Sequence, residues 1–116
     1  MQKFIALYCM PVSGLEAWMA KPKSETEPEE KRLQAEWGVW MAAHKDSLVG
    51  SHAGVGKTKR VGAEGITDAK NEIMLYSIVQ AENHDAAAAL FVGHPHLQIP
   101  GAWIDVSSSN ELPSGM

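Results

Sequence analysis

Two segments of this chain are apolar on both of their sides, and that constrains the fold more than anything else in the sequence. In "KFIALYCM", Lys3 to Met10, and "NEIMLYSIVQA", residues 71 to 81, large apolar side chains occupy odd and even positions alike. Successive residues of a strand point to opposite faces, so Ile73, Leu75 and Val79 share one face and Met74, Tyr76 and Ile78 the other. A strand with a solvated side alternates in polarity, and these do not. Both faces of the sheet they build need a cover.

The segments between them supply that cover for one face only. Residues 11 to 24, "PVSGLEAWMAKPKS", read as a connection in which Leu15, Trp18 and Met19 make a short amphipathic turn. A long helix follows. Thr26 with Glu29 predicts a capping box, with Pro28 in the first turn and Glu27, Glu29 and Glu30 at the positive end of the dipole. Its apolar stripe runs Leu33, Trp37, Trp40, Met41, His44 and Leu48. Glycines 50, 54, 56 and 62 break residues 48 to 64 into an irregular strand or hairpin, and "GITDAKNE" predicts a turn. Asn83 caps a short helix over "HDAAAALFV" that Gly93 ends as a C′ residue, and Ala102 to Val106 form the last strand.

The resulting order, β-α-β-β-α-β, predicts an α+β domain of the ferredoxin-like kind over residues 1 to 106. It is an antiparallel sheet with two helices on one face. Residues 107 to 116 form a polar tail, expected to be mobile. Leaving five or six large apolar groups wet on the other face would forgo roughly 1.5–3 kcal/mol each, comparable to the roughly 5–15 kcal/mol that holds a domain together. A second copy of the chain, sheet against sheet, is the simplest cover, so a homodimer is expected.

Composition narrows the partners. The 116 residues carry a net charge of -4, which makes nucleic acid and anionic membrane poor partners. The single cysteine, Cys9, excludes an internal disulfide and fits a cytoplasmic setting. The N-terminal apolar run is too short for a membrane span and lacks a small-x-small cleavage site, so it reads as a strand.

Several motifs bear on chemistry. "GVGKT", Gly54 to Thr58, resembles a phosphate-binding loop, but Ser51 stands where that loop needs glycine, and "KTKRVGAEG" cannot supply the helix that should follow. Lys57, Lys59 and Arg60 read instead as a solvated hairpin edge. In "GHPHLQIPG", His94 and His96 stand two apart. In extended backbone their side chains would point the same way, so chelation is geometrically open, yet no spacing identifies a third ligand and no metal is assigned. They are equally readable as polar groups beside a pocket or as a structural turn, and they are the first choice for acid/base work near neutral pH. Trp37, Trp40 and Trp103 line an aromatic pocket in one reading and are core in the other. Tyr8 and Tyr76, on separate strands, need hydroxyl partners or satisfy each other. Cys9 has no cationic neighbour in sequence to make it a nucleophile.

The chain resembles the YCII-related family, in its DGPF-type branch, over residues 1 to about 106. The resemblance rests on "KFIALYCMP", "WGVWMAAHKDSLV", "GITDAKNEIMLYSIVQAENHDAAAALF" and "HPHLQIPGAWIDV". It implies a ferredoxin-like subunit that dimerises into an α/β barrel, similar to cofactor-free monooxygenases and muconolactone isomerases that hold small organic molecules. The first-helix histidine of some relatives has no counterpart at Ala35-Glu36-Trp37. His94-Pro95 stands where such relatives carry an aspartate-proline pair. The Asp-Gly-Pro-Phe signature is reduced to Thr67-Asp68-Ala69, which makes Asp68 a candidate site residue beside its reading as a turn carboxylate.

Together these readings predict a homodimer that binds a small organic molecule without a cofactor. One form is an isomerase, lyase or oxygenase in which His94 or His96 acts as acid/base with Asp68 as a further catalytic candidate. Tyr8, Tyr76 and Glu36 would orient the substrate, and Trp37, Trp40 and Trp103 would complete the pocket. The alternatives are a non-catalytic metabolite-binding or accessory module and a purely structural dimer.

Overall fold

The computed structural model describes residues 1–110 and 112. Strand β1 (Gln2–Cys9) is followed by helices α1 (Val12–Met19) and α2 (Lys23–Ala43), then β2 (Leu48–Gly54), β3 (Thr58–Gly62), β4 (Gly65–Ala69) and β5 (Ile73–Ala81). Helix α3 (His84–Ala89), a 3-10 turn (Pro95–Gln98) and β6 (Trp103–Ser108) complete the fold. Four strands form one sheet in the order β2-β5-β1-β6, with every pairing antiparallel. The architecture is α+β and compatible with a ferredoxin-like arrangement. Among the described residues, strands β3 and β4 pair only with each other and form a separate hairpin.

The two doubly apolar segments lie side by side at the centre. Phe4 opposes Val79, Ala6 opposes Ser77 and Tyr8 opposes Leu75 on the face that the helices cover. Phe4, Ala6, Tyr8 and Val79 are buried there with Ala87 and Phe91, and Trp37 and Trp40 of α2 pack down on them. On the other face Ile5 opposes Ile78, Leu7 opposes Tyr76, and Trp103 lies beside Cys9. Ile5, Leu7, Tyr76, Ile78 and Trp103 are only half-buried.

Several sequence expectations are corrected. The connection after β1 contains a regular helix, α1, so there are three α-helices among the described residues. Helix α2 starts one turn earlier than the capping box implies: Pro22 is its N-cap, no side chain caps it, and Pro28 lies inside it. Thr26 is buried against the fold instead of capping the helix end. Leu48 is no longer helical, because α2 ends at Ala43 and Leu48 opens β2 opposite Val79. "GITDA" is the second strand of the hairpin, with Lys59 opposite Asp68 and Val61 opposite Ile66, and its turn lies at Gly62–Gly65. Asn83 caps α3 as expected, its side-chain oxygen accepting from the Ala86 amide at 2.8 Å. That helix ends by Leu90, however, and Gly93, at φ +76°, terminates the looser turns beyond it. Strand β6 runs on to Ser108, two residues into the expected tail. Residues 111 and 113–116 of that tail lie outside the described residues.

The fold is flat. Its extents are 48 × 45 × 20 Å and its radius of gyration is 16.2 Å. A compact chain of this length is expected near ~13 Å. The excess comes with a one-sided sheet and a hairpin whose Val61 and Ile66 are 77% and 68% exposed.

Two glycines test how tightly this frame is set. A Cβ on Gly50 would stand 2.6 Å from Cβ of Ile78, where β2 breaks register between Leu48 and His52. That atom sits next to the β5 backbone and cannot swing away. A Cβ on Gly38, within α2, meets nothing within 4 Å. Gly50→Ala is expected to cost about 1–3 kcal/mol by overpacking. Gly38→Ala should gain about 0.5–1 kcal/mol from the lower entropy of the unfolded chain. Denaturant unfolding of both variants measures the contrast.

Candidate functional site

His94 and His96 are each 1% exposed and lie deep under the sheet's covered face. The backbone between them is not extended. His94 is the N-cap of the 3-10 turn, with Pro95 as its first residue, and proline's fixed φ suits that position. The two rings consequently diverge in role, and the geometry expected for side-by-side chelation is absent. Among the described residues no group of three or more histidine, cysteine, aspartate or glutamate side chains is placed to hold a metal ion.

The hydrogen bonds assign the tautomers. The His96 amide donates to Nδ1 of His94 at 3.0 Å. That nitrogen is therefore unprotonated, and the neutral His94 ring carries its proton on Nε2. Nε2 is buried and has no hydrogen-bond partner among the described residues. It sits in an aromatic cage instead. Trp37 stands edge-on at 4.4 Å between ring centroids, Trp40 at 4.5 Å and Tyr8 at 5.3 Å. His96 places its Nε2–H on the Cys9 carbonyl at 2.8 Å. It thereby ties the turn to the end of β1, where Cys9 pairs with Trp103 of β6.

Burial lowers the pKa of His94 to about 4, and the nearby His96 and His44 push it the same way. Burial also lowers His96, opposed by its contacts with the backbone of Cys9 and Trp103. At pH 7 His94 is thus neutral, with a donor and no free acceptor. It suits polarising a carbonyl or holding an oxyanion better than abstracting a proton.

The remaining predicted residues fall into separate places. Tyr8, Trp37 and Trp40 surround His94 in the core. The Tyr8 hydroxyl pairs with Ser77 at 2.8 Å, not with Tyr76, and burial raises its pKa against the opposing effect of that bond. Trp40 donates its indole N–H to the Leu90 carbonyl. Tyr76 and Trp103 lie on the opposite face of the sheet, and Trp103 donates to the Asp105 carboxylate at 3.2 Å. Glu36 belongs to a surface network in which it accepts from Arg32 at 3.0 Å and from the Gln98 amide at 2.9 Å. Asp68 stands on the hairpin and is ion-paired to Lys59, both side chains exposed. The Cys9 thiol is buried, and burial first, then Asp105 and Glu72, push its pKa up, away from thiolate chemistry.

Two cavities flank α1, and neither is lined by the histidines. One, of about 430 Å³, lies between α1, the start of α2 and the residues after the 3-10 turn, with Met10, Leu15, Trp18, Leu33, Met74 and Ile99 among its walls. A wider groove of about 770 Å³ runs between α1 and the base of the hairpin. Only their outer boundary was signalled in the sequence, by the amphipathic Leu15, Trp18 and Met19.

Comparison with protein-family models returns no match for this chain, and comparison with curated protein sequences returns none either. No helix is long and apolar enough to cross a membrane among the described residues.

The titration of the buried histidine gives a direct check. His94 has a folded pKa below the unfolded value of about 6.5, so the unfolded chain binds the proton first. Stability is full above pH ~6.5 and is lost as pH falls through about 4. The loss from His94 alone should approach about 3 kcal/mol. Denaturant midpoints across pH 7.5 to 4 measure it, and His94→Gln should flatten that slope whatever its absolute stability.

Proposed function

We propose that this protein is a homodimer of the YCII-like kind that binds small organic molecules, with two sheets closing on each other and the helices outside. One observation carries the reading. The uncovered face of a one-sided sheet presents Ile5, Leu7, Tyr76, Ile78 and Trp103 together, all half-buried within the single chain. Covering what remains of each surface is worth on the order of 1 kcal/mol per residue. The flat subunit and the projecting hairpin support the same reading, since an isolated two-stranded hairpin is marginally stable in water. Cavities of a few hundred Å³ are the size that small ligands occupy.

Light scattering at micromolar concentration is expected to give the mass of two chains, and Leu7→Glu or Ile78→Glu to give one. A monodisperse single chain for the unaltered protein would end the dimer reading. Ligand binding is tested separately by a thermal-shift screen of small aromatic acids, amines and lactones. A ligand at a hundred times its dissociation constant adds about 2.7 kcal/mol of stability.

A second reading, cofactor-free catalysis, draws on the partnerless Nε2–H of His94. Its chemistry would be polarisation of a substrate carbonyl by a neutral imidazole after the aromatic cage opens, with His96 positioning the ring. On that reading His94→Ala removes turnover of any substrate found while ligand affinity persists. Full turnover in the His94→Ala, His96→Ala double variant excludes both residues from catalysis.

A further inference from the structure

We infer that the cavity beneath α1 is a binding site for hydrophobic amines, molecules with an apolar ring or chain ending in an ammonium group. This rests on the reading that the chain binds small molecules and names the place and the chemistry. The walls are apolar: the thioethers of Met10 and Met74, Leu15 of α1, Leu33 of α2, and Ile99. At about 430 Å³ the space suits a compact aromatic or short aliphatic body.

Charge at the mouth selects the head group. Lys21, Glu29, Glu30 and Gln98 are the polar side chains that reach it. Glu29 is neutralised by Arg32, and Gln98 is held by Arg32 and Glu36. Glu30 has only a neutral partner, the indole N–H of Trp18 at 3.2 Å, and makes no ion pair among the described residues. The same indole already presents its face to a cation, since Lys21 Nζ lies 5.5 Å from the ring centroid. An indole face beside an unpaired carboxylate attracts ammonium twice, by its quadrupole and by direct charge. With Glu29 and Arg32 cancelling each other, a carboxylate ligand would instead meet the unpaired Glu30, with Lys21 alone in its favour. The ligand ammonium would displace Lys21 from Trp18, leaving that exposed side chain to solvent.

Helix α1 makes entry feasible. It buries none of its residues fully, and it is tied to the hairpin side by an exposed ion pair between Glu16 and Lys70. Exposed pairs of that kind contribute little, so α1 can move aside at small cost.

The test is calorimetric titration of the full chain with 2-phenylethylamine, tryptamine and hexylamine, beside 3-phenylpropionate and 2-phenylethanol as matched acid and alcohol. The amines should bind saturably and at least about tenfold more tightly than the acid, and Glu30→Gln should remove most of that preference. Leu33→Trp, which fills the cavity, should abolish amine binding while far-UV circular dichroism stays unchanged. Absence of saturable binding by all three amines overturns the inference, as does equal affinity for acid and amine or undiminished binding in Leu33→Trp. A hit elsewhere in the wider screen would preserve small-molecule binding while this site fails, and light scattering of the same samples reads the dimer independently.

Discussion

The antiparallel pair of β1 and β5 is the contact on which the rest of this protein depends. On one side it presents Phe4, Ala6, Tyr8 and Val79 to the helices, and their burial makes the core. On the other it presents Ile5, Leu7, Tyr76 and Ile78, which no helix covers. The register links the two, because a slip of one residue would exchange the faces along both strands. The Tyr8–Ser77 hydrogen bond on the core side and the close fit of Gly50 over Ile78 on the other both hold it in place. Helix α2 then lies across the covered face through Trp37 and Trp40, and the 3-10 turn closes the end of β1.

The histidine pair shows how local geometry redistributes chemical potential. Two imidazoles separated by one proline have the same intrinsic chemistry, yet each is given a different task. His96 spends its Nε2–H on a strand-end carbonyl and becomes a clamp. His94 spends its Nδ1 lone pair on the His96 amide and keeps a buried donor that nothing among the described residues receives. Buried polar groups are nearly always satisfied, so an exception among the described residues marks either tolerated strain or a group kept in reserve. Dry aromatic surroundings hold the ring neutral at physiological pH.

The cavities follow from the same frame. Helix α1 lies beside Met10, just past β1, and Met74, near the start of β5, and borders the space between them without sealing it. A weakly packed amphipathic helix over an apolar space, next to the acidic first half of α2, is a combination that sheet and core alone would not require. It places the flexible thioethers of Met10 and Met74 and the rigid indole of Trp18 around that space.

Much of this fold could be read from residue patterns. Two-sided apolarity of residues 3–10 and 71–81 set the central strands, the 3.6-residue stripe set α2, and Asn83 set the start of α3, because these signals are local and repeat at the period of the element they form. Less of the candidate site could be read. Tyr8, Trp37, Trp40, Tyr76 and Trp103 are chemically alike in one dimension, and only the strand register and the face that α2 lays on the sheet decide that the first three cage His94 while the last two face away. Thr26 and Glu29 have the spacing of a capping box, but the helix starts a turn earlier and Thr26 is buried within it. Asp68 is a turn residue by composition and a strand residue by pairing with β3. The sequence by itself determined which strands are apolar on both sides. Only the tertiary structure decided which polar groups are left without partners, since satisfaction of a buried donor depends on atoms that lie far apart along the chain.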